Sequence, residues 1–219
     1  MKSRKKGNIV IWLVVGFLLW NTCGNSNSDK RTLSACQTAQ NLSYSPNLFK
    51  EGDLVFRRGS SLSSTMVLLA DRSTAYSHVG MLLKDSGKWK VVHASPDEAD
   101  ANGNRVVLED LLSFWSVDKA IQGCVMRSYG DSLSLTKICQ YALWFSSLSI
   151  PFDHNFNLKD TNQMYCTELM LFLFSKANME LTNGNLSQVN LPGIRGMYVL
   201  PSDIQNGGKL RWIYSFCRQ

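Results

Sequence analysis

The spacing of apolar positions changes period along the chain, and the change divides it into elements. "EGDLVFRRG" (51–59) reads as a turn, a short strand over Leu54 to Arg57, and a glycine as punctuation. In "SLSSTMVLLAD", Met66, Leu69 and Ala70 share one face behind a Ser61 or Ser63 cap, which predicts a helix. "SHVGMLL" (77–83) and "WKVVHA" (89–94) are β-rich runs joined by "KDSGK", whose Ser86-Gly87 marks a hairpin turn. "NRVVLEDL" predicts a further strand, "LEDLLSFW" turns helical as it ends, and "AIQGCVMRS" (120–128) returns to strand. Beyond it Leu135, Ile138, Cys139, Ala142 and Leu143 recur at helical spacing, with Pro151 past the end. Thr167 to Ala177 has no polar face except Glu168, which predicts a helix buried all round. "YVLPSDI" and "LRWIYSF" add a loop and a last strand. The sum is an α+β fold, an antiparallel sheet from the middle of the chain with helices packed against it.

The first 45 residues have a different pattern. "MKSRKKGN" is basic, "IVIWLVVGFLLW" (9–20) is a twelve-residue apolar run, and small polar residues follow. The run is short for a spanning helix, which needs about 20 residues, and suits the core of an export signal. Cys23 closes it as the modified cysteine of a bacterial lipoprotein would, although Leu19 is one place early and Thr22 replaces the usual small residue. The reading is a signal peptide, lipoprotein signal or membrane anchor over 1–23, a tether and first helix over 24–45, and one domain over 46–219. An exported protein follows, periplasmic or outer-surface, soluble or lipid-anchored through Cys23. Charge supports this division. The formal net charge is +6, but Lys2, Arg4, Lys5 and Lys6 carry four of those positives, and without them the rest stands at +2. No basic stripe with interleaved aromatics exists, so nucleic acid is excluded as a partner.

Six cysteines and three histidines hold the candidate chemistry. No cysteine pair has CxxC spacing and the histidines are scattered, which argues against structural zinc, and no cofactor is expected. Export permits disulfides among Cys36, Cys124, Cys139 and Cys217, while Cys139 on an apolar helix face reads as a buried free thiol. Cys166 stands at the head of the apolar run in "QMYCTELMLFLF", where a helix N-terminus lowers a thiol pKa. A neighbouring imidazolium would lower it further. His78 opens "HVGML", on the opposite strand face from Val79 and Met81, and Gly80 leaves room for a close approach. His93 ends the next strand, within hydrogen-bonding range of His78 if hairpin register puts both on one face. His154 lies in a polar loop twelve residues before Cys166. Each has a plainer reading: buried cysteine, satisfied core histidine, turn cap, solvated loop residue. Asp53 reads as a turn acid whose carboxylate binds backbone N–H groups.

"GDLVFR", "YSHVGM", "VVHAS" and "YCTEL", in that order, resemble the YiiX/YebB-like cysteine hydrolases. These belong to the circularly permuted branch of the NlpC-type, papain-like superfamily, in which the histidine strand precedes the cysteine helix. The resemblance covers roughly residues 50 to 205, including "FDHNFNL" and "PSDI". It implies a permuted papain-like fold with the nucleophile at a helix N-terminus. It further implies Cys166 as nucleophile, His78 as general base, and His93 in the place of the third polar residue. Part of the oxyanion hole would come from the Cys166 N–H. The "HN" within "FDHNF" puts an extra histidine near the cysteine.

The expectation is therefore an exported thiol hydrolase that cleaves an amide or ester through a thioester acyl-enzyme. Its substrate would be a peptidoglycan stem peptide or an acyl lipid. The alternatives are a lipid acyltransferase, a catalytically idle envelope-binding module with the same fold, and a structural envelope protein held by disulfides.

Overall fold

A computed structural model describes residues 42, 44–96, 104–160, 162–184, 186–192 and 194–218, all within the unit Ala35–Gln219. The expected signal, tether and first helix, with Cys23 and Cys36, lie outside the described residues.

The described chain holds eight strands, five α-helices and a short 3-10 turn at Pro46–Leu48. The strands are β1 (Leu54–Arg58), β2 (His78–Asp85), β3 (Lys88–Pro96), β4 (Asn104–Asp110), β5 (Gln122–Ser128), β6 (Ser187–Leu191), β7 (Ile194–Tyr198) and β8 (Leu210–Cys217). The helices are α1 (Leu62–Ala70), α2 (Leu111–Phe114), α3 (Ser132–Ser147), α4 (Cys166–Ser175) and α5 (Pro201–Gln205). Six strands form one sheet in the order β4-β3-β2-β1-β5-β8, antiparallel throughout, and β6–β7 is a separate hairpin. Ser86 and Gly87 both have positive φ, 50° and 79°, so the β2–β3 turn is of the primed type that matches strand twist.

Strand alternation builds two cores from one sheet. Leu54, Phe56, Val79, Met81, Val92 and Met126 face α3 and α4, while Val55, Leu82, Val91 and Val125 face Phe49 and α2 with Trp115. The predicted strands and the α3 pattern appear where the periodicity placed them. Two differences stand out. The β6–β7 hairpin lies in a stretch to which the pattern assigned no element, and α5 falls within "YVLPSDI", where a loop was expected. Helix α4 is not buried all round, because Leu171 and Phe172 are half-buried on the side that meets α3, with Phe172 stacked 4.8 Å from Phe145.

The start of the sheet is anchored by a buried ion pair. Arg127 on β5 grips Asp53 with two parallel bonds, Nε to Oδ1 at 2.7 Å and Nη2 to Oδ2 at 2.8 Å, and the Lys50 N–H donates to Oδ2 at 2.8 Å. Asp53 is 1% exposed, so loss of its charge leaves Arg127 without compensation in a low-dielectric site. Asp53→Ala is expected to lower unfolding free energy by about 3 kcal/mol, read as a lower urea midpoint at unchanged slope.

Candidate active site

Helix α4 begins at Cys166 because the preceding turn is pinned from several sides. The Thr167 hydroxyl donates to Val199 O at 2.7 Å, and the Val199 N–H donates to the Tyr165 hydroxyl at 3.3 Å. Glu168 Oε2 accepts the Tyr165 N–H at 3.4 Å, the first-turn role its position suggested. Both neighbours of Cys166 are thus tied to the segment between β7 and α5. The thiol stands at the helix mouth, half-buried, on the wall of a cavity of about 560 Å³ that His78 and Arg57 also line.

The hairpin opens where the histidines sit. The β2–β3 ladder runs from Asp85↔Lys88 to Met81↔Val92 and stops, although β2 extends back to His78 and β3 on to Pro96. At Gly80 the strands are still in close contact: a Cβ there would lie 2.9 Å from Val92 O and 3.0 Å from His93 Cβ. The Val79 N–H, beyond the end of the ladder, acts on the Cys166 sulfur and favours its anion. On the other side of the sheet His78 Nε2 lies 2.9 Å from His93 Nδ1, both rings buried, at an interplanar angle of 87°. Phe114 walls both rings, with centroids at 5.8 and 5.0 Å.

Three residues that carried no signal of their own in the sequence join this group. Glu109 Oε2 is 3.1 Å from His93 Nε2, and Glu109 Oε1 is 2.5 Å from Lys119 Nζ. Arg57, opposite His78 in the β1–β2 register, donates to Phe114 O at 2.9 Å, with its guanidinium 4.4 Å from the Phe114 centroid. "GDLVFR" contained Arg57 only as a strand residue, and Glu109 and Lys119 depend on a register no local pattern states. His154 is exposed on the rim of the same cavity, its ring 5.0 Å from Phe152. It makes no contact with the imidazole pair among the described bonds.

The electrostatics correct one expectation. Burial pushes the Cys166 thiol up to about 11, although the N–H groups of Val79, Thr167 and Cys166 and the Arg57 charge all pull it down. Desolvation outweighs the helix terminus, so the thiol is protonated at neutral pH. Burial likewise holds His78 well below the ordinary imidazole range, with Arg57 and His93 adding to the effect. His93 is lowered too, by burial first, against the opposing hydrogen bond from Glu109. Burial opposes ionisation of Glu109, but its bonds to His93 and Lys119 prevail and bring it down to about 2. The site at rest is a neutral thiol, two neutral imidazoles and a carboxylate.

The remaining thiols are not disulfide-bonded. Among the described residues Cys124 and Cys139 are buried free thiols, and Cys217 is half-buried. Among the described residues no helix is long and apolar enough to cross a membrane.

Among solved structures, this fold matches the crystal structure of metalloprotein yiiX from Escherichia coli O157:H7, a DUF1105 protein. The TM-score is 0.63, over 75% of this chain and 96% of that one, at 21% identity, a likeness that shows a shared fold. No family model matches the chain, and no curated protein matches it. A YiiX-like α+β fold is thus shown. Among the described residues no three His, Cys, Asp or Glu side chains converge as a metal group. His93 uses both ring nitrogens on His78 and Glu109.

These shifts make stability depend on pH in opposing senses. Lowered folded-state values for His78 and His93 mean that the unfolded chain binds more protons as pH falls below its ordinary 6.5. Their contribution is present above that pH and lost on acidification. Glu168 acts oppositely. Burial raises it to about 7 against the Tyr165 N–H, and Asp153 and Asp160 push it further, so the folded state holds its proton between about 7 and 4.5. Melting temperatures from pH 7.5 to 5 are expected to fall more steeply in Glu168→Gln than in the wild type, and less steeply in His78→Phe.

Proposed function

We propose that this protein is an exported thiol hydrolase in which Cys166 attacks an acyl carbonyl with His78 as its base. The observation that carries the reading is the convergence at the end of β2. His78 and Cys166 line one cavity, the N–H of the residue next to His78 favours the Cys166 anion, and His93 holds Nε2 of His78. The basic and apolar N-terminus supports export, and the YiiX-like fold is compatible with the resemblance in "YSHVGM", "VVHAS" and "YCTEL".

The chemistry follows from the resting charges. With Nε2 of His78 turned to His93, Nδ1 is the nitrogen left to take the thiol proton. As the sulfur forms its bond to the carbonyl carbon, the thiol proton passes to His78 Nδ1, and the carbonyl oxygen becomes an oxyanion. The helix-start N–H groups of Cys166 and Thr167 and the Arg57 guanidinium supply positive potential for that charge. Collapse breaks the bond to the leaving group, which takes the proton from His78 Nδ1, and a thioester remains on Cys166. Water, deprotonated by the same nitrogen, then releases the acid and restores the thiol. His93 orients His78 throughout.

The cavity favours an acyl chain over a charged stem peptide. Met66, Val67, Phe156, Val189, Ile194 and Leu200 contribute its walls. Its charged lining residues are Arg57, Asp118 and Lys119, a sparse set for a substrate rich in carboxylates and amines. An acyl hydrolase reading follows, with transfer to a second acceptor as the same chemistry with water replaced.

Incubation with p-nitrophenyl acyl esters of increasing chain length tests this. A burst of p-nitrophenol and a thioester adduct mapped to Cys166 are expected, with longer chains preferred over acetyl. His78→Ala is expected to slow the burst by roughly 10²-fold or more. Turnover that survives in Cys166→Ala, or the lack of any adduct on Cys166, overturns the reading.

A separate measurement reads the resting state. Alkylation of Cys166 by iodoacetamide is expected to rise about tenfold per pH unit between pH 7 and 9, as for a thiol that is protonated throughout that range. A plateau near pH 6.5 would indicate a pre-formed thiolate instead. Cys139, which burial pushes up to about 12, is expected to label after Cys166.

A further inference from the structure

The β3–β4 register places His93 opposite Val107 and puts Glu109 at the diagonal position on the same face. Through that diagonal Glu109 Oε2 reaches His93 Nε2 at 3.1 Å, and its other oxygen takes Lys119 Nζ at 2.5 Å. The line His78–His93–Glu109–Lys119 therefore ends on a fixed cation, and Glu109 is 17% exposed while His93 is 1% exposed.

Hydrogen-bond bookkeeping along this line has one neutral solution. A carboxylate only accepts, so His93 must carry its proton on Nε2. In a neutral ring, Nδ1 is then a lone pair. That lone pair faces His78 Nε2 at 2.9 Å, so His78 must donate from Nε2. The free lone pair of His78 is left on Nδ1, the nitrogen not committed to His93. The opposite assignment would place a proton on His78 Nδ1 and leave no base. It would also require Glu109 to donate.

We propose that Glu109 is a positioning residue that sets the tautomer of both imidazoles, with Lys119 holding it as an acceptor, so that His78 presents a basic Nδ1 to Cys166. Glu109 touches neither substrate nor sulfur and acts through two rings. Its influence on His78 is directional: it decides which nitrogen carries the proton. During the reaction no proton travels along the line. His78 becomes doubly protonated when it takes the thiol proton on Nδ1, its Nε2–H still donates to His93, and Glu109 stays ionised. Protonation of His93 would place an N–H on Nδ1 against the Nε2–H of His78 and reverse the arrangement. The groups that face His93 act on that event in both directions. Arg57 on β1 and Lys119 beyond α2 oppose it, Glu109 on β4 favours it, and the buried His78 on β2 presents no charge.

The proposal rests on the acyl-transfer reading of Cys166 and His78, and two readouts keep their failures apart. In the full-length protein, long-range ¹H–¹⁵N correlation of labelled histidine reads the tautomers directly. Both His78 and His93 are expected as Nε2–H forms at pH 7.5. Glu109→Gln, whose amide can donate to His93 Nε2, is expected to convert a substantial fraction of both rings to Nδ1–H. It is expected to slow acylation of Cys166 by at least about 30-fold, with KM changed less than threefold. A wrong tautomer in a comparable triad costs up to roughly 10⁴-fold. Glu109→Asp, which accepts but cannot donate, is expected to retain the wild-type tautomers and recover most of the rate. If Glu109→Gln fails to fold, Lys119→Met serves: its acid limb of acylation is expected to move to higher pH by at least half a unit. Wild-type rings found as Nδ1–H overturn the proposal. So does a Gln variant with unchanged tautomers and a rate within threefold, or an unmoved acid limb in Lys119→Met. Wild-type tautomers as assigned, without any acylation of Cys166, would overturn the hydrolase reading alone.

Discussion

Everything at the site depends on two strands that part. Up to Gly80 the β2–β3 hairpin is an ordinary ladder, and Gly80 itself is the last tight point, with no room for a Cβ against Val92 O and His93 Cβ. Past it the ladder ends, and the Val79 N–H, left without a β3 partner in the ladder, favours the Cys166 anion. The opening gives Cys166, mounted on α4, a partner beside the imidazoles on the opposite sheet face. Closing the ladder by two more pairs would satisfy Val79 from β3 and leave the thiol with only its own helix turn. The site is thus a defect in sheet pairing, kept open by what fills it: two rings on one face, a helix terminus on the other.

Two fields compete over the charges in that opening. A helix N-terminus, three N–H groups and a guanidinium favour a thiolate, and in water-exposed surroundings they would win. Burial wins here, and it acts on both partners in the direction of neutrality, raising Cys166 and lowering His78. Arg57 sharpens the outcome in an uneven way. It favours a negative sulfur and disfavours a positive imidazole, so it stabilises the anionic side of the reaction without letting His78 store a proton at rest. The carboxylate that would ordinarily raise an imidazole pKa is placed one ring further away, on His93. His78 therefore receives orientation from Glu109 with little of its charge.

Much of this was legible from local pattern. The patterns of "SHVGMLL" and "WKVVHA" predicted the two strands that carry His78 and His93, and Ser86-Gly87 the turn between them, while a shared face for the two rings depended on the register. The helix starting at Cys166 followed from an apolar run with a single first-turn acid. Two kinds of information were missing. Glu109 meets His93 only through the β3–β4 register, and a strand pattern gives faces without saying which residue lies diagonal to which. The sign of the Cys166 shift depends on how much protein surrounds the sulfur, whereas the sequence shows only the helix terminus beside it. "NLPGIRGMY" hid a hairpin because proline and glycine there mark a turn while the flanking strands are short and half-exposed.

A fold shared at 21% identity constrains the scaffold and leaves the chemistry to the site. On the proposed reading, Cys166 is a nucleophile that is inactive until a carbonyl arrives. A protonated, half-buried thiol reacts slowly with small electrophiles, because they bring no group that stabilises the developing charge. On the same reading, an acyl substrate filling the cavity would change both conditions together. It removes water from the mouth of α4, which strengthens every N–H and guanidinium contact to an oxyanion. It also places a carbonyl where bond formation and proton transfer to His78 can be concerted. Reactivity would then be conditional on occupancy of the cavity, and the burial that raises the resting pKa of Cys166 would be relieved only by a substrate that the apolar walls admit.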